Sequence, residues 1–170
     1  MKKIFTTLLL SVALVTMAQE VPTSFPRKFL IEHFTGTWCQ YCPYGMMAID
    51  YAVQKSETPY VWVSHHVSDN YALKEGYDIY SIANADGVPT MMLNRSQQSK
   101  GLGFHPGYLP EMTITDATTA EASVLIEHTY NAETRQLDIT VSGQVANTTT
   151  TSYLLTVLIK ENGIISTQQD

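Results

Sequence analysis

Hydrophobic and polar positions divide the chain into two regions with different periodicity. In the first region, runs rich in apolar residues at 28–34 and 60–65 have the composition of buried strands. Apolar residues between 44 and 53 recur at intervals of three and four, which is typical of an amphipathic helix that reaches about residue 56. Two strands joined by a helix form a right-handed βαβ unit with parallel strands. The pattern therefore predicts an α/β domain over residues 28–112.

The remainder of that domain carries weaker signals. Residues 67–76 are polar and predict a loop, and residues 77–85 predict a short helix. Pro89 stands at the entrance of a strand predicted at residues 91–93, where it restricts the residue before it to extended geometry. Residues 94–110 are rich in glycine and proline, and we expect a surface loop there.

From residue 120 the period changes to two, which predicts β-strands. Alternation covers residues 122–130 and 137–142, and a third strand-like run covers residues 153–160. Long antiparallel strands of this kind favour a β-sandwich-like region over residues 120–170. Three strands do not close a sandwich, so we expect this region to be incomplete as given. It shows no visible chemistry, and an interaction or docking module is one interpretation.

The first 18 residues have the pattern of a secretory signal peptide. Lys2 and Lys3 precede an apolar stretch at residues 4–15, and small residues stand before a cleavage point expected between Ala18 and Gln19. Export to the periplasm, the outer membrane or the cell surface follows from this prediction. Disulfide bonds persist in such compartments.

Composition narrows the choice of partners. The net charge is −6 and no basic patch occurs, which argues against nucleic acid. No cysteine directly follows the apolar stretch of the signal, so a lipoprotein anchor is not indicated. Residues 19–27, with Pro22 and Pro26, predict an extended leader before the domain. Peripheral association with the outer membrane is left open, and no oligomeric state is predicted.

Candidate chemistry is concentrated in the only two cysteines, Cys39 and Cys42. They follow the first predicted strand, so we expect Cys39 at the strand-to-helix transition and Cys42 in the first helical turn. Unpaired amides and the positive end of the helix dipole stabilise a thiolate there and lower its pKa from about 8.5 towards roughly 3.5–7.5. Cys39 is therefore predicted to attack as the nucleophile, and the more shielded Cys42 to resolve the mixed disulfide.

Two other interpretations of the cysteine pair remain. A zinc site needs two more soft ligands, and no histidine stands at finger-like spacing, so no metal is predicted. A static structural disulfide is the second alternative. The redox pair is the interpretation we favour, with no cofactor other than the redox-active disulfide Cys39–Cys42.

Two motifs together resemble thioredoxin-fold proteins. Residues 38–42 read W-C-Q-Y-C after a predicted strand, and residues 87–90 read G-V-P-T. The longer string around the cysteines is similar to a family of exported thioredoxin-like proteins of Gram-negative bacteria labelled "outer membrane protein". This resemblance implies that Pro89 is cis and packs against the cysteines. It also implies that Val88 offers its N–H and C=O to an extended substrate.

The sequence departs from the thioredoxin pattern at two places. Many thioredoxins carry a buried acidic residue six positions before the first cysteine, where this chain has His33, with Glu32 beside it. An imidazole at that position is a candidate proton acceptor, and a buried structural histidine is the alternative. Gln40 and Tyr41 between the cysteines match neither Gly-Pro nor Pro-His, so the direction of electron flow is not predicted.

Three further residues are candidates for supporting roles. Trp38, directly before the nucleophile, is predicted as an apolar cover that contacts partner polypeptides, with plain packing as the alternative. His65 and His66 end the second predicted strand at the same sheet edge as the cysteines. A structural or solvent-facing role is favoured for both histidines over tuning of the thiols.

These observations lead to one functional hypothesis and one alternative. The hypothesis is an exported thiol–disulfide oxidoreductase of thioredoxin type that acts on the thiols or disulfides of exported proteins and exchanges electrons with an unidentified redox partner. The alternative is a non-catalytic surface protein with the same fold and a stable disulfide.

Overall fold

A computed structural model provides the coordinates. The residues it describes are 23–57, 59–95, 105–107, 119–146, 150 and 152–169. The predicted signal peptide, the first part of the predicted leader and most of the loop predicted at residues 94–110 lie outside the described residues. Of the helices in the described ranges, none is long and apolar enough to cross a membrane.

Two helices and seven strands occur in the described part of the chain. In chain order they are β1 (Phe25–Pro26), β2 (Phe29–Thr35), α1 (Cys42–Lys55), β3 (Tyr60–His66), α2 (Lys74–Ala83), β4 (Thr90–Leu93), β5 (Thr119–Ala120), β6 (Ala122–Asn131) and β7 (Gln136–Val145).

A three-stranded mixed sheet with the order β3–β2–β4 forms the centre of the first region. β2 and β3 are parallel, with Phe29 opposite Tyr60, and α1 connects them. β4 runs antiparallel to β2, with Phe34 opposite Thr90. β2 is therefore covered by a strand on each side, and all but one of its residues are buried. This explains its nearly continuous apolar composition, since a strand buried on both faces does not alternate.

Each face of this sheet packs against one helix. Phe29 and Ile31 share a buried cluster with Ile49 of α1. Phe34 points to the opposite face and packs with Ile79 of α2. Successive side chains of a strand point to opposite faces, so β2 contributes alternately to the two clusters. The strand therefore contributes to both halves of the core. Its carboxyl end, which precedes the cysteines, is buried.

An ion pair between buried Glu32 and partly exposed Arg95 lies on the α2 face of β2. The Glu32 carboxylate is fully buried and accepts hydrogen bonds from Arg95 Nε and Nη2, both at 2.7 Å. His65 Nε2 lies 3.4 Å from Oε1 of the same carboxylate. Burial alone raises the pKa of Glu32, but the bonds from Arg95 and His65 outweigh it and hold the pKa below its usual value. The carboxylate therefore stays ionised and paired, and is not free to act as a base.

The second helix begins earlier than the sequence predicts. The prediction placed it at residues 77–85, whereas α2 spans Lys74–Ala83. Its first turn, Lys74 and Glu75, is exposed, so the apolar pattern on which the prediction depended does not include it. Asn84 ends the helix in the left-handed conformation at φ 49°, which asparagine tolerates better than most residues. The predicted boundaries were therefore wrong by two or three residues.

In the second region, β6 and β7 form an antiparallel hairpin from Ala122↔Val145 to Asn131↔Gln136. Asn131 Oδ1 accepts hydrogen bonds from the N–H groups of Glu133 and Thr134, which fixes the turn. The predicted leader is tied to this region, since β1 pairs with β5. Within the described residues the region forms a hairpin, and the β-sandwich stays a prediction.

The third predicted strand, at residues 153–160, is absent from the described residues. Residues 152–169 form no helix and no strand there. Alternating residues produce a strand only where another strand offers its edge in register, and this segment pairs with none. The prediction of a strand at residues 153–160 was therefore wrong.

Candidate active site

The two cysteines lie where β2 passes into α1. The Cys39 N–H donates to Gly36 O at 3.0 Å, and the Cys42 N–H donates to Cys39 O at 3.2 Å. Cys42 is the first residue of α1, and Pro43 follows within the first turn, where a missing N–H costs no hydrogen bond. The cysteines form a disulfide with a Cα–Cα distance of 5.4 Å. Cys39 is 4% exposed and Cys42 is 0% exposed.

Trp38 is held against this turn by its indole nitrogen. Its Nε1–H donates to Val67 O at 2.9 Å, while 47% of the residue stays exposed. The ring passes so close to Gly36 that a Cβ there would lie 2.6 Å from Trp38 Nε1. A side chain at position 36 would therefore displace the indole from this position. The tryptophan is an exposed apolar surface beside the disulfide, with a fixed orientation.

Asp69, in the loop after β3, binds the turn that carries Cys39. Its Oδ2 accepts the Thr37 N–H at 2.8 Å and lies 2.6 Å from His66 Nδ1, while Oδ1 accepts the Tyr71 N–H at 2.9 Å. Burial alone raises the pKa of Asp69, but these bonds, that of His66 first, lower it below the usual value. The carboxylate thus connects the loop to the turn that carries Cys39. Nothing in the sequence pattern marked Asp69.

The segment before β4 lies directly against the disulfide. The Val88–Pro89 peptide bond is cis. The Val88 carbonyl oxygen is 3.7 Å from Cys39 Sγ. An oxidised sulfur carries no proton, so this contact becomes a hydrogen bond only when Cys39 is a thiol. Pro89 packs on Gly45 of α1, where a Cβ would lie 2.9 Å from Pro89 Cβ. The structure therefore brings Val88 and Pro89 to the cysteines.

His33 is buried on the α1 face of β2. Its Nδ1 lies 3.4 Å from Ser64 Oγ, and its Nε2 has no hydrogen-bond partner among the described residues. Burial, followed by repulsion from other histidines, lowers the pKa of His33 from 6.5 to about 4. The imidazole is therefore neutral near pH 7. A base of this strength is poorly matched to a thiol of pKa about 8.5, which argues against the predicted role as a proton acceptor.

The other predicted residues fall at the rim of the site or in its supports. Gln40 and Tyr41 are both exposed, Tyr41 to 64%. His65 pairs with Glu32, and His66 pairs with Asp69, so each histidine has a structural partner. Within the described ranges no group of three or more His, Cys, Asp or Glu side chains is placed to hold a metal ion.

Comparison with known proteins gives one informative likeness. No protein-family model matches the chain, and no curated protein matches it. Among solved structures, HBP35 of Porphyromonas gingivalis is similar, with a TM-score of 0.63 and 22% identity over 74% of this chain and 45% of that chain. This chain therefore spans less than half of the length of HBP35. At this identity the likeness shows a shared fold and nothing about activity.

A second solved structure, a protein of Agrobacterium tumefaciens, is more distant. Its TM-score is 0.39 at 18% identity, over 72% of this chain and 57% of that chain.

The contact between Gly45 and Pro89 predicts an unusual effect of alanine. In most helix interiors Gly→Ala stabilises by about 0.5–1 kcal/mol. At position 45 the added methyl group meets the proline ring, and overpacking of this kind costs about 1–3 kcal/mol. We expect Gly45→Ala to lower the free energy of unfolding, measured by urea denaturation.

Gly76 in α2 provides the matched control, because its added Cβ would lie at an ordinary 3.6 Å from His65 Cβ. Gly76→Ala should leave stability unchanged or raise it by up to about 1 kcal/mol. Equal effects of the two substitutions would contradict the close packing of α1 on Pro89.

The low pKa of His33 predicts a loss of stability in mild acid. Between pH 6.5 and about 4 the unfolded chain binds a proton that the folded chain does not, so the free energy of unfolding falls as the pH falls. The difference amounts to about 2–3 kcal/mol at pH 4.5. Replacing His33 with leucine should remove this part of the pH dependence, as measured by urea denaturation at pH 7 and pH 4.5.

His128→Leu, on the exposed hairpin, serves as the control for removing a histidine from a strand. Glu32 and Asp69 have lowered pKa values, so most of their contribution is lost below pH 4.5, and the His33→Leu variant retains it. An equally steep loss in His33→Leu and in the unmodified protein would show that His33 is not the source.

Proposed function

We propose that this protein is an exported thiol–disulfide oxidoreductase of thioredoxin type, which acts on the disulfides or dithiols of other exported proteins. One observation carries the proposal. The Cys39–Cys42 disulfide stands at the first residue of a helix, and the carbonyl of Val88, before a cis proline, lies 3.7 Å from Cys39 Sγ. The positive end of the helix dipole stabilises the thiolate that forms when such a disulfide is reduced, and thiol–disulfide exchange is then fast.

The proposed exchange has two steps that balance in atoms and electrons. In the reduced protein, the Cys39 thiolate attacks one sulfur of a client disulfide, the client S–S bond breaks, and the other client sulfur leaves as a thiolate. Cys42 then attacks Cys39 Sγ, releases the second client sulfur, and passes its proton to a departing thiolate. Two electrons move to the client and the Cys39–Cys42 disulfide forms. From the oxidised form the same steps run in reverse with a client dithiol.

The surroundings of Cys39 support a polypeptide as the substrate. The Val88 carbonyl lies beside the reacting sulfur, which supports a role for Val88 in binding an extended client segment. Trp38 and Tyr41 stay exposed on either side of Cys39 in the sequence, and aromatic residues of this kind are common in binding surfaces.

We also propose that residues 28–112 belong to the thioredoxin-like class. The β2–α1–β3 unit, the antiparallel β4 and the proline before it support this assignment. The β-rich region after residue 119 is proposed as a docking module, and its exposed apolar side chains, Val124 and Ile126 among them, support that role. Export, an unidentified redox partner and peripheral association with the outer membrane are proposed on the sequence features alone.

One observation favours the non-catalytic alternative. Both cysteines are almost completely buried, and an inert structural disulfide is expected to be inaccessible. Under this alternative the disulfide only stabilises the fold, and the hairpin region performs the binding.

Trapping a mixed disulfide separates the two functions. In Cys42→Ala the first step proceeds and the second does not, so a covalent adduct should accumulate when the reduced variant is mixed with insulin, which carries disulfides. The adduct should be visible by non-reducing electrophoresis and disappear on addition of dithiothreitol.

Cys39→Ala is the matched control, because it keeps one cysteine and lacks the nucleophile. We expect at least about tenfold less adduct, in line with the dependence of exchange on thiolate fraction and access. Similar amounts of adduct from both variants, or none from Cys42→Ala, would favour the non-catalytic protein.

A further inference from the structure

A late segment of the chain lies against the turn that carries Cys39. Residues 152–169 form neither helix nor strand, and all of them are exposed except Gln168, which is partly buried. Earlier in the segment, Lys160 Nζ donates to Trp62 O of β3 at 3.1 Å. The segment therefore meets the turn through Gln168.

The contact is made by one primary amide and one backbone N–H. Gln168 Nε2 donates to Cys39 O at 2.8 Å and to Gly36 O at 3.1 Å. The Gln169 N–H donates to Thr37 O at 2.8 Å. Three hydrogen bonds therefore connect the segment to the carbonyls of Gly36, Thr37 and Cys39.

The turn presents the right number of acceptors for such a ligand. The carbonyls of Gly36 and Cys39 each accept one bond within the turn, from the N–H of Cys39 and of Cys42, and each retains a second lone pair. A primary amide has two N–H donors on one nitrogen and can satisfy both carbonyls. A carboxylate has no donor and would face two carbonyl oxygens with its negative charge.

We infer that the carbonyls of Gly36, Thr37 and Cys39 form a binding site for an extended polypeptide that carries a glutamine or asparagine side chain, and that Gln168–Gln169 occupies it as an internal ligand. The internal ligand competes with clients and restricts access to the disulfide, which agrees with the 4% exposure of Cys39. The competition with clients rests on the proposed exchange function, whereas the binding of Gln168–Gln169 by these carbonyls does not.

Reduction of the disulfide by dithiothreitol tests the internal ligand. The reagent donates two electrons and closes to its own cyclic disulfide, while Cys39 and Cys42 become thiols that are alkylated with iodoacetamide and counted by mass spectrometry. If access requires release of the segment, the rate follows the released fraction. Gln168→Glu removes two hydrogen bonds, so we expect reduction about tenfold faster or more.

Gln169→Ala is the matched control, because it keeps the backbone N–H that binds Thr37 O and changes only an exposed side chain. It should be reduced at the rate of the unmodified protein. Equal rates for all three proteins would overturn the inference, and so would equal acceleration in both variants. Gln168→Ala removes the same donors without adding a charge, and it should also accelerate reduction. This variant provides the test if Gln168→Glu does not fold.

A peptide identifies the class of ligand. The capped peptide Ile-Ile-Ser-Thr-Gln-Gln-Asp, residues 164–170, added to Gln168→Glu should slow reduction in a saturable way. The same peptide with glutamate at the first glutamine should not. Equal effects of the two peptides, or none from either, would overturn the assignment of a carboxamide ligand. Dithiothreitol needs no client, so these experiments can support the internal ligand even if the mixed-disulfide trap shows no adduct. The trap can likewise show an adduct even if Gln168 does not control access to the disulfide.

Discussion

Helix α1 lies close against the segment before β4 at Gly45, which has no side chain. A Cβ on Gly45 would lie 2.9 Å from Pro89 Cβ, well inside the distance of ordinary packing. This contact brings the first turn of the helix to the Val88 carbonyl and so sets the distance between that oxygen and Cys39 Sγ. The chemistry proposed for the disulfide depends on it, because a backbone acceptor next to the sulfur is useful only when the helix and the segment are this close.

The turn before the helix is fixed by a second set of contacts. Trp38 passes over Gly36 and bonds to Val67 O, and Asp69 accepts the Thr37 N–H. Both Val67 and Asp69 follow β3, so the strand parallel to β2 supplies the supports for the strand-to-helix turn. The carboxyl ends of parallel strands meet at one edge of a sheet, which is the usual place for a site in α/β proteins. The ion pair between buried Glu32 and partly exposed Arg95 lies on one face of the same sheet.

The sequence predicted those parts of the molecule that short-range patterns control. The βαβ unit, the start of the helix at the cysteines and the strand after Pro89 follow from apolar periodicity and local spacing. The start of α2 at Lys74 was missed, since its exposed first turn carries no apolar signal. The strand at residues 153–160 was predicted wrongly, because alternation cannot tell whether a partner edge is available. Asp69 and Gln168 act through contacts with distant residues, and a single sequence contains no signal for these. The position of His33 was informative, but its low pKa depends on burial that only the structure reveals.

The reduction potential of the Cys39–Cys42 pair tests the central claim most directly. It is measured by equilibrating the protein with dithiothreitol buffers of known potential and counting free thiols. A catalytic pair whose thiolate is stabilised at the start of α1 should have a potential within about −120 to −270 mV, the range of known exchange enzymes. A value more negative than about −300 mV, typical of inert structural bridges, would contradict the account.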